Sequence, residues 1–156
     1  MAPLAIASGD KISFDAEVDS VTVSGDSASL SRAVTNLIQN AVIHGGKKTI
    51  IRVGVGRDGT LRIADSGPGI AEQHRRTIFE PFRRVIPLDH GAGLGLSLVN
   101  DVVLRHNGRI TVGDAPGGGA LFEISLPLYA KPSQLRGGRA SSSLGDHAPG
   151  HDLSHT

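Results

Sequence analysis

The apolar residues of this chain change period twice within its first 65 positions, and that switch sets which elements the chain can form. Ile12, Phe14 and Ala16 alternate with polar residues, and Val21 and Val23 do so again beyond an Asp19-Ser20 turn, which predicts a strand pair over 10–23. After Gly25 the spacing becomes helical. Asp26 or Ser27 can cap a helix whose Leu30, Ala33, Val34, Leu37, Ile38, Ala41 and Val42 make one apolar face, ending at Gly45-Gly46. Alternation then returns. Ile51, Val53 and Val55 lead into an Asp58-Gly59 turn, and Leu61 and Ile63 run back to Asp65, the pattern of a hairpin over 49–65.

Downstream, residues 71–79 suit a short helix, and 80–92 hold two prolines and two arginines with no clear period, so 82–92 is read as a mobile loop. A second helix is predicted over about 93–106, burying Leu98, Val99, Val102 and Val103 and closed by Asn107-Gly108. Ile110 and Val112, then Leu121, Ile124 and Leu126, supply a last strand pair across a turn at 116–119. From Lys131 the composition shifts to Gly, Ser, Pro and His, so ~25 disordered residues are expected there. His147, His151 and His155 would align on a helix as a metal face, but Pro149 and Gly150 oppose a helix, so the spacing is read as chance. The ranges are therefore a flexible lead at 1–9, one domain at 10–128 and a low-complexity tail at 129–156.

Composition removes several function classes. Sixteen Lys and Arg against fifteen Asp and Glu give a net charge of +1, so nucleic acid is not an expected partner. With no Cys there is no disulfide framework, thiolate metal site or cysteine nucleophile. No stretch approaches the ~18 apolar residues of a membrane span, and Met1-Ala2-Pro3 opens no signal region, so no membrane contact is expected. Four Phe, one Tyr and no Trp mean that the core must be aliphatic.

Glycines cluster in Asp65-Ser66-Gly67-Pro68-Gly69-Ile70 and in Gly91-Ala92-Gly93-Leu94-Gly95-Leu96, the second opening a predicted helix, where backbone N–H groups can meet a phosphate. A dinucleotide-binding G-x-G-x-x-G fails because Leu96 stands at its last glycine. A P-loop fails because Gly46-Lys47 is followed by Lys48, with Ala41 at the first glycine position. On the first helix Asn36, Asn40 and His44 fall within ~80° of one another along the border of the apolar face. Asparagine is a poor helix former, and two neutral carbonyl oxygens there suit Mg²⁺, which binds few protein oxygens and keeps waters or substrate phosphates.

Taken in order, Asn36-Leu37-Ile38-Gln39-Asn40-Ala41, Asp65 to Ile70, Phe79-Glu80-Pro81-Phe82 and Gly91 to Leu96 resemble the N, G1, F and G2 boxes of sensor histidine kinases. The resemblance spans roughly 10–128. It implies the Bergerat ATP-binding fold shared with gyrase-type ATPases. That fold is α+β, a two-layer sandwich with a mixed, mostly antiparallel sheet of about five strands and about three helices on one face. By that resemblance Asp65 accepts from the adenine amino group, whereas guanine would set a carbonyl against the carboxylate. Gly67, Gly69 and Ile70 bring the chain close under the base. Asn40, assisted by Asn36, holds Mg²⁺ on the phosphates. A lid at about 82–92 is implied, with Phe79 and Phe82 anchoring its base and Arg83 and Arg84 meeting phosphate. Gly91, Ala92, Gly93, Leu94, Gly95 and Leu96 form its hinge and supply backbone donors.

Position 36 selects a branch. Gyrase-type ATPases and anti-sigma serine/threonine kinases carry a glutamate base there, and this chain carries Asn36, which favours a histidine kinase whose imidazole nucleophile has no O–H proton to lose. Four positions depart from or vary the family pattern. Ile43 replaces a phosphate-contacting cation, Ala92 replaces Thr or Ser, Ala120 replaces a Thr near adenine, and His44 stands where relatives place an aromatic on the base. A degenerate regulatory module without turnover is the alternative these losses raise. None of the seven histidines has a phospho-acceptor context. The chain is therefore expected to be a monomeric catalytic domain, cytoplasmic, acting on a histidine of a separate dimerisation domain and indirectly on a response regulator.

Overall fold

Asp26 starts the first long helix as expected. The computed structural model of the chain describes residues 9–81 and 95–130. In it, helix α1 spans Ser27–His44, and the Asp26 carboxylate accepts from the Ser29 backbone N–H at 2.9 Å and from the Ser29 hydroxyl. Gly45 closes the helix by donating its N–H to the Ala41 carbonyl at 2.8 Å. Ala33, Leu37, Ile38 and Ala41 are buried, which is the predicted apolar stripe.

Five strands form one mixed sheet in the order β1-β2-β3-β5-β4, where β1 is Lys11–Phe14, β2 Ile50–Val55, β3 Thr60–Ala64, β4 Arg109–Asp114 and β5 Ala120–Ser125. Only β1 and β2 run parallel, and α1 is the crossover that such a pair requires. Register aligns Ile51, Val53, Ile63, Phe122 and Ile124 on one buried face. Arg52, Thr111 and the ion-paired Arg62 and Glu123, 2.9 Å apart, lie on the other, which is the alternation of a sheet covered on one side. Each fully buried aliphatic or Phe side chain here contributes about 1.5–3 kcal/mol. Phe79 meets Phe122 edge to face, with ring centroids 6.4 Å apart, and brings its segment onto the same core.

Helix α2, Gly95–Arg105, packs beside α1 and buries Val99 and Val103. Asn107, at φ 56°, takes the left-handed conformation that ends it, and Gly108 donates to the Val103 carbonyl at 2.9 Å. His106 joins the two helices: Nε2 accepts from the Asp26 N–H at 3.0 Å, so the proton sits on Nδ1, 2.7 Å from the Val102 carbonyl.

Three expectations need correction. Residues 10–23 are not a local strand pair: beyond Phe14, Asp15 and Glu17 still donate to Val53 and Val55, and Val23 makes only a single bridge to Leu128. The chain follows the open edge of β2 and leaves too few residues to fold back, and Phe14 is 79% exposed on this edge strand. Residues 71–79 form two 3₁₀ turns, Glu72–His74 and Thr77–Phe79, in place of one short helix. Leu98 is exposed, because Leu96, Val99, Val102 and Val103 already make the helical stripe. The last strand pair forms as expected in β4 and β5, with Ala120, Phe122 and Ile124 turned inward. The predicted lid at 82–92, the start of the second helix at 93–94 and the tail from 131 lie outside the described residues.

The Asp26 cap carries a pH prediction. The Ser29 side-chain hydrogen bond, then its backbone N–H, hold this carboxyl below the ordinary aspartate value. A lowered folded-state pKa adds stability that is present above the unfolded value and is lost as pH falls through the lowered one. Asp26→Ala is therefore expected to lower the thermal midpoint at neutral pH and to flatten its decline in acid. Parallel acid declines for the two proteins, followed by circular dichroism, would remove this role.

Candidate functional site

The C-terminal end of α1, the turn after β3 and the start of β5 meet at one end of the sheet. Asp65, immediately after β3, is 7% exposed. Its N–H donates to the Ala120 carbonyl at 2.9 Å, which extends the β3–β5 ladder by one step. Both donors that reach its side chain, the N–H groups of Gly67 at 2.9 Å and Ala120 at 3.2 Å, go to Oδ1. The carboxylate is thus fixed through one oxygen, while Oδ2 takes no hydrogen bond from the described residues and is free to accept one from a ligand donor.

Close backbone approach makes this end possible. A Cβ on Gly67 would stand 2.6 Å from the Gly45 Cα, so the end of α1 and the turn meet glycine against glycine. On the other side, Gly119, at φ +101°, lies so near Asp65 that a Cβ would come within 1.9 Å of the Asp65 carbonyl oxygen. Ser66 fastens the turn to the sheet by accepting the Ile50 N–H at 2.9 Å.

The structure therefore brings the turn of Asp65 and Gly67 against Gly45, the residue that ends α1, while Asn36, Asn40 and His44 lie along the C-terminal half of that helix. Asn36 and Asn40 are half-buried one turn apart, and His44 is exposed as the last helical residue. Ile70 and Leu96 pack against the core, and Gly95 is the first described residue of α2. Phe82, Arg83, Arg84, Gly91, Ala92, Gly93 and Leu94 lie outside the described residues. Gly45 and Gly119, legible in sequence only as a helix stop and a turn, lie directly against Gly67 and Asp65. Ala120, noted only for a lost hydroxyl, contributes a backbone donor.

The donor set can be tested against the groups the motifs imply. A carboxylate with one tethered and one open oxygen fits an exocyclic amino group. Among the described residues no three His, Cys, Asp or Glu come together as metal ligands, so a cation at α1 would rest on the neutral Asn oxygens. That set fits Mg²⁺, which retains waters and substrate phosphates in its shell. A hollow of about 410 Å³ near Ser24, His106, Asn107 and Leu128 lies at the opposite end of the layer, where none of these residues is found.

Residues 25–130 match the family described as histidine kinase-, DNA gyrase B- and HSP90-like ATPase. The chain is 37% identical over 134 residues to the sensor histidine kinase TmoS of Ectopseudomonas mendocina, covering 80% of this chain and 14% of that protein. It is 42% identical over 134 residues to the signal transduction histidine-protein kinase/phosphatase MprB of Mycobacterium sp. (strain KMS), covering 74% and 24% respectively. A solved structure of a mycobacterial sensor histidine kinase MprB superposes with a TM-score of 0.66 at 32% identity, over 82% of this chain and 94% of that one. The chain thus spans about a quarter or less of these two curated relatives.

Proposed function

The chain belongs to the histidine kinase-, DNA gyrase B- and HSP90-like ATPase family, and from that we propose that it is the ATP- and Mg²⁺-binding catalytic domain of a two-component sensor histidine kinase. The observation that carries the reading is Asp65, whose Oδ1 is tied by Gly67 and Ala120 and whose Oδ2 is left to accept the adenine amino group. Gly67 and Gly69 pass close under the base, with Ile70 beside them. Asn40 and Asn36 hold Mg²⁺ through their side-chain oxygens. The metal's contribution is to neutralise phosphate charge. Arg83, Arg84 and the 91–96 motif supply the remaining phosphate contacts on this reading; of these only Gly95 and Leu96 are among the described residues.

On this reading an imidazole nitrogen of the dimerisation domain attacks the γ-phosphorus, the bond to the bridging oxygen breaks, and ADP leaves. Little covalent work falls to this domain, which positions the phosphates and offsets their charge. Asn36 suits that task, because no base is needed to activate a nitrogen nucleophile. The phosphoryl group then passes from the histidine to a response regulator.

Calorimetric titration with ATP and GTP, with and without Mg²⁺, tests the reading. Wild type is expected to prefer ATP and to bind it more tightly with Mg²⁺, and Asn40→Ala to lose most of that Mg²⁺ enhancement while keeping its metal-free affinity. A folded wild type that binds no ATP at millimolar concentration would defeat the reading. ATP binding with no transfer to any supplied histidine-bearing dimerisation domain would leave a regulatory nucleotide-binding module.

A further inference from the structure

Arg75 stands between the two 3₁₀ turns, outside every motif that suggested the site. Its side chain is only 24% exposed, and two of its three nitrogens have partners. Nε donates to the Ile70 carbonyl at 3.0 Å, and a terminal nitrogen meets the Asp114 carboxylate at 2.7 Å. These partners belong to the two segments that enclose Asp65. Ile70 ends the turn that begins at Asp65. Asp114 ends β4 opposite Ala120, and Ala115 and Gly119 close the connection that lies against Asp65 and Gly69. The turn is held to β5 at its entrance by the Asp65 N–H, and at its exit Arg75 supplies the tie. A guanidinium suits this place, because its planar fork can serve two acceptors at once, which a single ammonium cannot do in fixed geometry.

We propose that Arg75 is a positioning residue of the nucleotide site, a clamp that sets the spacing between the 65–70 turn and the β4–β5 connection. The proposal rests on the nucleotide reading above. Of its two contacts the one to the Ile70 carbonyl matters more. Asp114 is 77% exposed in its side chain, and an ion pair to so exposed a partner is weak.

The test is calorimetry of ATP and ADP binding together with hydrogen exchange, on wild type, Arg75→Ala, Arg75→Lys and Asp114→Asn. Arg75→Ala is expected to weaken ATP and ADP by the same factor, about tenfold, at unchanged stoichiometry. Amides of residues 66–71 should exchange faster without nucleotide, while those of Ile63 and Phe122 keep their protection. Asp114→Asn should cost less than about threefold. If Arg75→Ala does not fold, the same readings are taken on Arg75→Lys, which keeps charge and stem but loses the fork. An unchanged Kd, a fall only in the fraction of protein that titrates, or a loss confined to ATP would overturn the role. A wild type that binds no ATP overturns both this proposal and the function it rests on, whereas normal wild-type binding with an indifferent variant removes Arg75 alone.

Discussion

Asp65→Asn is expected to weaken ATP binding by about 10- to 150-fold, the equivalent of the ~1.5–3 kcal/mol of a charged hydrogen bond, and to leave the fold intact. The asparagine oxygen can occupy the place of Oδ1 and go on accepting from Gly67 and Ala120, so the tether that shapes the turn survives. Only the outer atom changes, from an acceptor to an NH₂ that faces the adenine amino group donor to donor. Guanine presents a carbonyl at that position, so the preference for ATP over GTP should narrow in the same variant. Competition binding with both nucleotides reads the two effects together. Unaltered ATP affinity in a folded Asp65→Asn protein would show that the base is selected elsewhere.

What could be read from sequence was local. Helix α1 announced both ends, because Asp26 and Gly45 are residue types whose chemistry caps helices, and the β2–β3 hairpin announced its turn through Asp58-Gly59. The partner of β1 was not legible. A parallel pair is joined through a whole helix and leaves no turn signal between its strands, so from sequence the nearest alternating residues, Val21 and Val23, look like its mate. The site divided in the same way. Asp65 and the glycines beside it stood out as a motif, but the groups that orient Asp65 come from Ala120 and Gly119, brought to it only by the β3–β5 register. Arg75 is a further step from legibility, since one side chain reaches a carbonyl five residues back and a carboxylate on another strand. Apart from the Arg75 bond to Ile70, the unread part is a contact between segments distant in sequence, which no residue type marks in advance.

Gly119 carries the largest expected effect on stability. It holds φ +101°, a conformation that L side chains rarely adopt, and an added Cβ would meet the Asp65 carbonyl oxygen at 1.9 Å and its carbonyl carbon at 2.7 Å. These are backbone atoms in a sheet ladder, and Asp65 cannot retreat without breaking its N–H bond to the Ala120 carbonyl. Strain at the dihedral and the clash together predict a loss of about 3 kcal/mol or more for Gly119→Ala. For a domain of this size that lowers the thermal midpoint by about 12 °C or more. Gly113→Ala is the matched control: the position has open space around its Cβ and no strained dihedral, so it should change stability by less than about 1 kcal/mol. ATP binding should fall with Gly119→Ala even below its lowered midpoint, because the Ala120 N–H that orients the Asp65 carboxylate moves with residue 119. A midpoint within a few degrees of wild type would mean that the β4–β5 connection can shift away from Asp65. The close packing of Gly119 on Asp65 would then not be what orients the carboxylate.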